Sequence, residues 1–165
     1  MTSKVKPIPD EYRSATPYLC VRGAAAAIEF YKKAFGAREL MRIPMGDKIG
    51  HAELRVGDAP FMLADELMNF RSPQALGGSP VNILIYVDDV DALAKRAEGA
   101  GAKLLRAPAD QFYGDRMATL EDPYGHSWSF ATHIEDVSPE EMRKRAQAHI
   151  PDDVVAGQPE SRSDG

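Results

Sequence analysis

The chain has little of what fixes chemistry by itself. Its 165 residues hold one cysteine, Cys20, and one tryptophan, Trp128. A single thiol excludes an internal disulfide and any cysteine-built zinc site. There is no apolar run of about 18 residues and no apolar segment of the signal-peptide kind, so neither a membrane span nor secretion is expected. A cytoplasmic protein is the expectation. Clustered cations are also missing: 20 Lys and Arg stand against 25 Asp and Glu, for a net charge of −5. That balance is the reverse of the one that neutralises phosphates, so no nucleic-acid partner is expected. The densest basic stretch, Arg143-Lys144-Arg145, lies beside Glu140 and Glu141 and reads as the solvated face of a helix.

What is present is a repeat. The segment A-F-G-A-R-E-L-M-R-I-P, Ala34 to Pro44, returns as G-A-G-A-K-L-L-R-A-P, Gly99 to Pro108, about 65 positions later. Each copy follows an amphipathic helical segment, passes a Gly-Ala pair (Gly36-Ala37, Gly101-Ala102) and enters a short apolar strand that ends at a proline. The glycine suits the left-handed position that closes a helix. Two further strand-like runs follow each proline: Ile49 to Val56 and Pro60 to Ala64, then Asp115 to Leu120 and Ser127 to Thr132. Each copy therefore reads βαβββ. Two copies are too few for a stacked array, and an α+β fold of paired modules sharing one core is expected.

Around the modules the organisation is plain. Residues 1–14 form an N-terminal arm that gains order only by docking on something. The first module covers 15–68, and its helix, Ala24 to Phe35, sets Ala27, Ile28, Tyr31 and Phe35 on one core stripe. Residues 69–80, rich in turn residues, are a linker or lid. The second module covers 81–137, with Asp88 or Asp89 capping its helix. Residues 138–150 form a C-terminal helix, opened by the capping box Ser138-Pro139-Glu140-Glu141. Residues 151–165 are polar, without periodicity, and read as a disordered tail.

Several local motifs carry a resemblance: Pro17-Tyr18-Leu19, Phe35-Gly36-Ala37, Gly50-His51-Ala52-Glu53-Leu54, Val87-Asp88-Asp89-Val90, Tyr113-Gly114-Asp115-Arg116 and Asp122-Pro123-Tyr124-Gly125-His126-Ser127-Trp128. In this order the chain resembles the vicinal-oxygen-chelate superfamily of glyoxalases, bleomycin-resistance proteins and extradiol dioxygenases, and within it the PhnB-like branch. The resemblance implies that the modules curl into a mixed half-barrel sheet with helices outside and a small molecule in the concave face. It also implies a homodimer, with modules exchanged where the linker allows. Strand alternation assigns the faces: Thr16, Tyr18 and Cys20, then His51, Glu53 and Arg55, then Asn82, Leu84 and Tyr86 point into the bowl. Met117 and Thr119 take the matching places in the second module, while Trp128 and Phe130 pack under the helix and Ser127, Ser129 and Ala131 look the other way.

Metal-using members of the superfamily place a His, Gln or Glu at the start of each module's first strand and a Glu on its last. Those places fall on Thr16 and Asn82, on Met62 or a neighbour (Leu63 or Ala64), and on Ser129, none of them a good ligand for a hard divalent ion. No cofactor is expected; the alternative is an unusual iron site of His51, Glu53, His133 and Asp65. The expected function is a metal-free small-molecule binding protein with Met62 and Ser129 among the lining residues. The alternative is a lyase, isomerase or dioxygenase of the superfamily, either metal-dependent through an atypical site or an acid–base catalyst in which His51 or Glu53 acts as base and Arg55 holds an anion. The plain structural reading is that Glu53 and Arg55 form an ion pair. A third reading makes the bowl a partner surface.

Overall fold

The computed structural model describes residues 5–12 and 14–149, so the tail expected at 151–165 lies outside the described residues. The first module runs β1 (Tyr18–Val21), α1 (Ala24–Phe35), β2 (Arg38–Met45), β3 (Lys48–Val56) and β4 (Ala59–Asp65). A one-turn helix, α2 (Pro73–Leu76), follows. The second module runs β5 (Asn82–Tyr86), α3 (Val90–Ala100), β6 (Lys103–Asp110), β7 (Asp115–Glu121) and β8 (Ser127–His133), and α4 (Pro139–Gln147) comes last.

Each module makes a four-stranded sheet in the same order, β1-β4-β3-β2 and β5-β8-β7-β6, the first strand parallel to the last and the other pairs antiparallel. The repeat explains the outer strands. Pro44 and Pro108 both fall on the edge strands β2 and β6, where a residue without an N–H interrupts no inner ladder. Both strands also shift register near their proline, which blunts the edge against further pairing.

Helix ends follow the sequence closely. Gly36 closes α1 at φ 67, and the next N–H, of Ala37, reaches back to the Tyr31 carbonyl at 3.2 Å. Asp89, and not Asp88, caps α3 by accepting from Ala92 N at 2.9 Å. Ser138 caps α4. The connection expected as a linker or lid carries α2, capped by Ser72, whose hydroxyl donates to Glu66 at 2.7 Å.

The helix-bearing sides of both sheets share one core. Ile28, Tyr31 and Phe35 of α1, Leu54 and Phe61 of the first sheet, and Leu120, Trp128 and Phe130 of the second are all buried in it. Trp128 is its hinge: the ring lies 5.6 Å from Tyr31, 5.1 Å from Phe35 and 5.4 Å from Phe61, all residues of the other module. Between the two sheets there is no hydrogen-bonded ladder among the described residues. They are held by side chains, and the opposite face of each stays partly exposed. None of the described helices is long and apolar enough to cross a membrane.

Candidate functional site

Strand alternation sends Leu19, Ala52, Leu54, Phe61 and Leu63 into the core. The opposite face of the first sheet therefore carries Tyr18, His51, Glu53, Arg55 and Met62, because Met62 pairs with Tyr18 on one side and Glu53 on the other. The register settles which residue of β4 stands there. Met41 and Ile43 on β2 extend the face, paired with Glu53 and His51.

The polar groups of this face form one chain. Tyr18 Oη lies 2.7 Å from His51 Nδ1, and His51 Nε2 lies 3.2 Å from Glu53 Oε1. A carboxylate only accepts, so His51 Nε2 carries a proton toward Glu53, and in the tautomer with that one ring proton Nδ1 accepts from the Tyr18 hydroxyl. The hydroxyl of Tyr12, in the N-terminal arm, donates to the other oxygen of Glu53. That bond and the His51 contact hold the Glu53 carboxyl below its ordinary range. Burial, with the Glu53 hydrogen bond and charge added, pushes the Tyr12 phenol up to about 12. Burial first, then the Glu53 charge, also raises Tyr18. A carboxylate so satisfied is a poor proton acceptor.

The expected Glu53–Arg55 ion pair is absent. Both residues stand on β3, and the arm supplies a separate partner to each: Arg55 Nη2 meets Glu11 at 3.4 Å. Arg55 Nε is buried without a hydrogen-bond partner among the described residues.

Two other expectations need correction. Cys20 does not open on this face; it is buried, its carbonyl accepts from His126 Nε2 at 2.9 Å, and burial, followed by the charges of Glu66 and Asp65, raises its thiol to about 11. Asp65, offered by the sequence as a member of an iron site, is buried and used as a cap. One of its oxygens accepts from Gly23 N and Ala24 N at 2.9 Å each and the other from Ile49 N at 2.8 Å. It supplies the cap that Gly23 cannot give α1. With His133 on the second sheet, the set His51, Glu53, His133 and Asp65 is not assembled.

The second sheet presents Asn82, Leu84 and Tyr86 from β5 beside Met117, Thr119 and Ser129, as the pairings Leu84 with Ser129 and Thr119 with Ser129 require. Its polar groups are used up locally. Asn82 Nδ2 donates to Ser127 at 2.8 Å, and the Thr119 and Ser129 hydroxyls meet at 3.0 Å. Tyr86 donates to Asp115 at 2.6 Å, and Asp115 also holds His133 Nδ1 at 2.8 Å. Thr16 lies before β1 and, with Tyr18 and Asn82, borders a cavity of about 450 Å³ where β1 and β5 approach.

At the places that the resemblance assigns to metal ligands, Thr16, Met62, Asn82 and Ser129, this chain offers two hydroxyls, a thioether and an amide. The hydroxyl of Ser129 and the amide of Asn82 are already engaged. A hard divalent ion does not fit that donor set. No group of three or more His, Cys, Asp or Glu side chains among the described residues is arranged to hold a metal. Sequence reasoning missed Glu11, Tyr12 and Asp115 as parts of these networks. The arm has no periodicity to betray its partners, and Asp115 showed only as part of a local motif.

Comparison with known proteins places this geometry. The profile of the Glyoxalase/Bleomycin resistance protein/Dioxygenase superfamily matches residues 13–130. An uncharacterised protein of Mycobacterium bovis is 42% identical over 134 residues, 78% of this chain and 88% of that protein. Among solved structures, TioX from Micromonospora sp. ML1 is 27% identical with a TM-score of 0.61, covering 73% of this chain and 100% of TioX. The fosfomycin resistance protein FosX from Listeria monocytogenes, solved with Mn(II) and sulfate, shares the fold at 16% identity and a TM-score of 0.57, over 81% of this chain and 96% of its own.

Proposed function

Because the chain belongs to the glyoxalase/bleomycin resistance protein/dioxygenase superfamily, we propose that it is a cytoplasmic binding protein that holds a small organic ligand on the face of Tyr18, His51, Glu53 and Arg55, without a metal ion and without transforming it. Its local motifs put it near the PhnB-like branch. The observation that carries the reading is the donor set: the superfamily's ligand positions hold Thr16, Asn82, Met62 and Ser129, while the one acidic group of the face, Glu53, is satisfied by two hydrogen bonds. Such a face recognises a ligand better than it abstracts a proton. Tyr18, with Phe70 edge-on at 5.4 Å, offers an aromatic wall.

The enzyme reading rests on the same chain of groups, in which Tyr18 and His51 would pass a proton toward Glu53 as an acid–base lyase or isomerase requires. A thermal-shift screen of aromatic and polar organic compounds, run with and without divalent ions, separates the two. A ligand at a hundredfold excess over its Kd adds about 2.7 kcal/mol, or about 5–10 °C in Tm for a chain of this size. That shift is expected without metal and is expected to vanish in Tyr18→Ala. A shift that needs one Mn, Fe, Ni or Zn per site would overturn the binding-protein reading.

The same proposal includes a homodimer. Ile43 and Met45 on the first sheet and Leu84 and Tyr86 on the second are each about half exposed on the open faces, and one copy cannot cover either. A second copy, docking its modules against these faces, closes both into a bowl. Sedimentation equilibrium is expected to give a dimer that Ile43→Glu converts to monomer. A monomer at every concentration of the unaltered chain would exclude this arrangement.

A further inference from the structure

We propose that the ligand of the first sheet is an organic acid bearing a hydroxyl group, and that Glu11 and Tyr12 of the N-terminal arm occupy its place in the free protein. The inference rests on the reading of this face as a ligand site.

Three observations carry it. Arg55 is underused: its buried Nε has no partner among the described residues. One Nη meets the exposed carboxylate of Glu11 at 3.4 Å, near the limit of a hydrogen bond. A guanidinium is built to take a carboxylate through two parallel N–H groups, and a ligand free of the arm's covalent tether can take both. Glu53, the same-face neighbour of Arg55 on β3, receives the phenol of Tyr12. Residues two apart on a strand stand about 7 Å apart, a span that a hydroxyaryl acid bridges between its two polar ends. The arm, finally, is held weakly. Val5 and Ile8 remain exposed, so among the described residues no apolar burial anchors the segment ahead of Tyr12, and such segments open at little cost.

The arm therefore presents a carboxylate to Arg55 and a phenol to Glu53 as a tethered stand-in. A ligand must displace it, and the apparent affinity falls by the fraction of time the face is open. If the arm is docked nine-tenths to ninety-nine hundredths of the time, its release tightens binding by about 10-fold to 100-fold.

The test uses the full chain, with para-hydroxyphenylacetate as the probe and tyramine, which keeps the ring and hydroxyl but lacks the carboxylate, as its control. Isothermal titration is expected to show the double variant Glu11→Gln, Tyr12→Phe binding the acid at least tenfold tighter than the unaltered protein. Adding Arg55→Gln is expected to remove that binding, and tyramine is expected not to bind. In the unaltered protein, NMR is expected to show the Tyr12 ring resonances moving to solvent-exposed values as the acid is added, a readout that needs no variant. Equal affinity in the double variant and the unaltered chain, or a Tyr12 signal that stays put while the acid binds, would overturn the role of the arm. Tyramine binding as tightly as the acid would overturn the ligand class. If both proteins bind neither probe but do bind other compounds of the aromatic screen, the ligand class fails alone. If they bind nothing at all, the ligand-site reading of the face fails with it.

Discussion

Asp122→Ala is expected to cost about 3–5 kcal/mol of stability, with each lost buried hydrogen-bond partner worth about 1–3 kcal/mol, read as a lowered urea midpoint. The carboxylate is buried and accepts four hydrogen bonds. One oxygen takes Tyr124 N and His126 N at 2.9 Å each, and the other takes Tyr31 Oη at 2.6 Å and Trp128 Nε1 at 2.9 Å. Alanine leaves the Tyr31 hydroxyl and the indole N–H stranded where water does not reach, since both residues are fully buried. Tyr31 belongs to the first module and Trp128 to the second, so the loss also loosens the joint between them. Asp122→Asn gives a finer test. Its oxygen can still accept from the two backbone groups, and Tyr31 can turn its hydroxyl to accept from the amide. The indole has no such freedom because it only donates, so about 2 kcal/mol is expected. A cost under about 1 kcal/mol for the alanine variant would mean that water reaches this joint.

The role of Asp122 shows where sequence reading stops. The residue was visible as the first of Asp-Pro-X-Gly, a turn signal, and it does hold that turn. Its bond to Tyr31 spans 91 residues and has no local signature. What was legible had a period. The period of α1 gave its core stripe, and the period of the strands gave the faces, so Tyr18, His51, Glu53 and Arg55 were placed together from sequence, as were Leu84, Tyr86 and Thr119. Alternation fixes which side of a strand a residue takes, but not what covers that side. Cys20 alternates with Tyr18 and is nonetheless buried, and the partners that the arm gives Glu53 and Arg55 come from a segment with no pattern. The four-residue helix α2 is too short for periodicity to show.

Glycine conformation gives the second large effect. Gly114 sits at φ 97, and a Cβ built there would stand 2.1 Å from the Glu135 carbonyl oxygen and 3.0 Å from Val137 Cγ2. The first obstacle is backbone, which cannot rotate aside. The same segment is tied to Gly114, whose carbonyl accepts from Ile134 N at 2.9 Å and Glu135 N at 3.0 Å. Gly114→Ala must therefore either break those bonds or push the chain leaving β8 away from the turn before β7. The left-handed conformation alone costs a side chain about 1–2 kcal/mol, and with the clash a total of about 3 kcal/mol or more is expected. Gly57 is the matched control: its φ is 59 and nothing lies within 4 Å of its added Cβ. Gly57→Ala should cost only the conformational part, about 1–2 kcal/mol. The difference between the two variants, measured by urea unfolding, isolates the contact with Glu135. It also has a consequence on the second sheet, because Asp115 follows Gly114 directly and holds both Tyr86 and His133. If the turn at Gly114 is displaced, Asp115 moves with it and its bond to Tyr86 lengthens, so the Tyr86 phenol, whose raised pKa comes chiefly from that bond, is expected to titrate nearer its ordinary range. Equal costs for the two alanine variants, with the Tyr86 titration unchanged, would show that the segment after β8 yields without strain and that the glycine is needed for its φ alone.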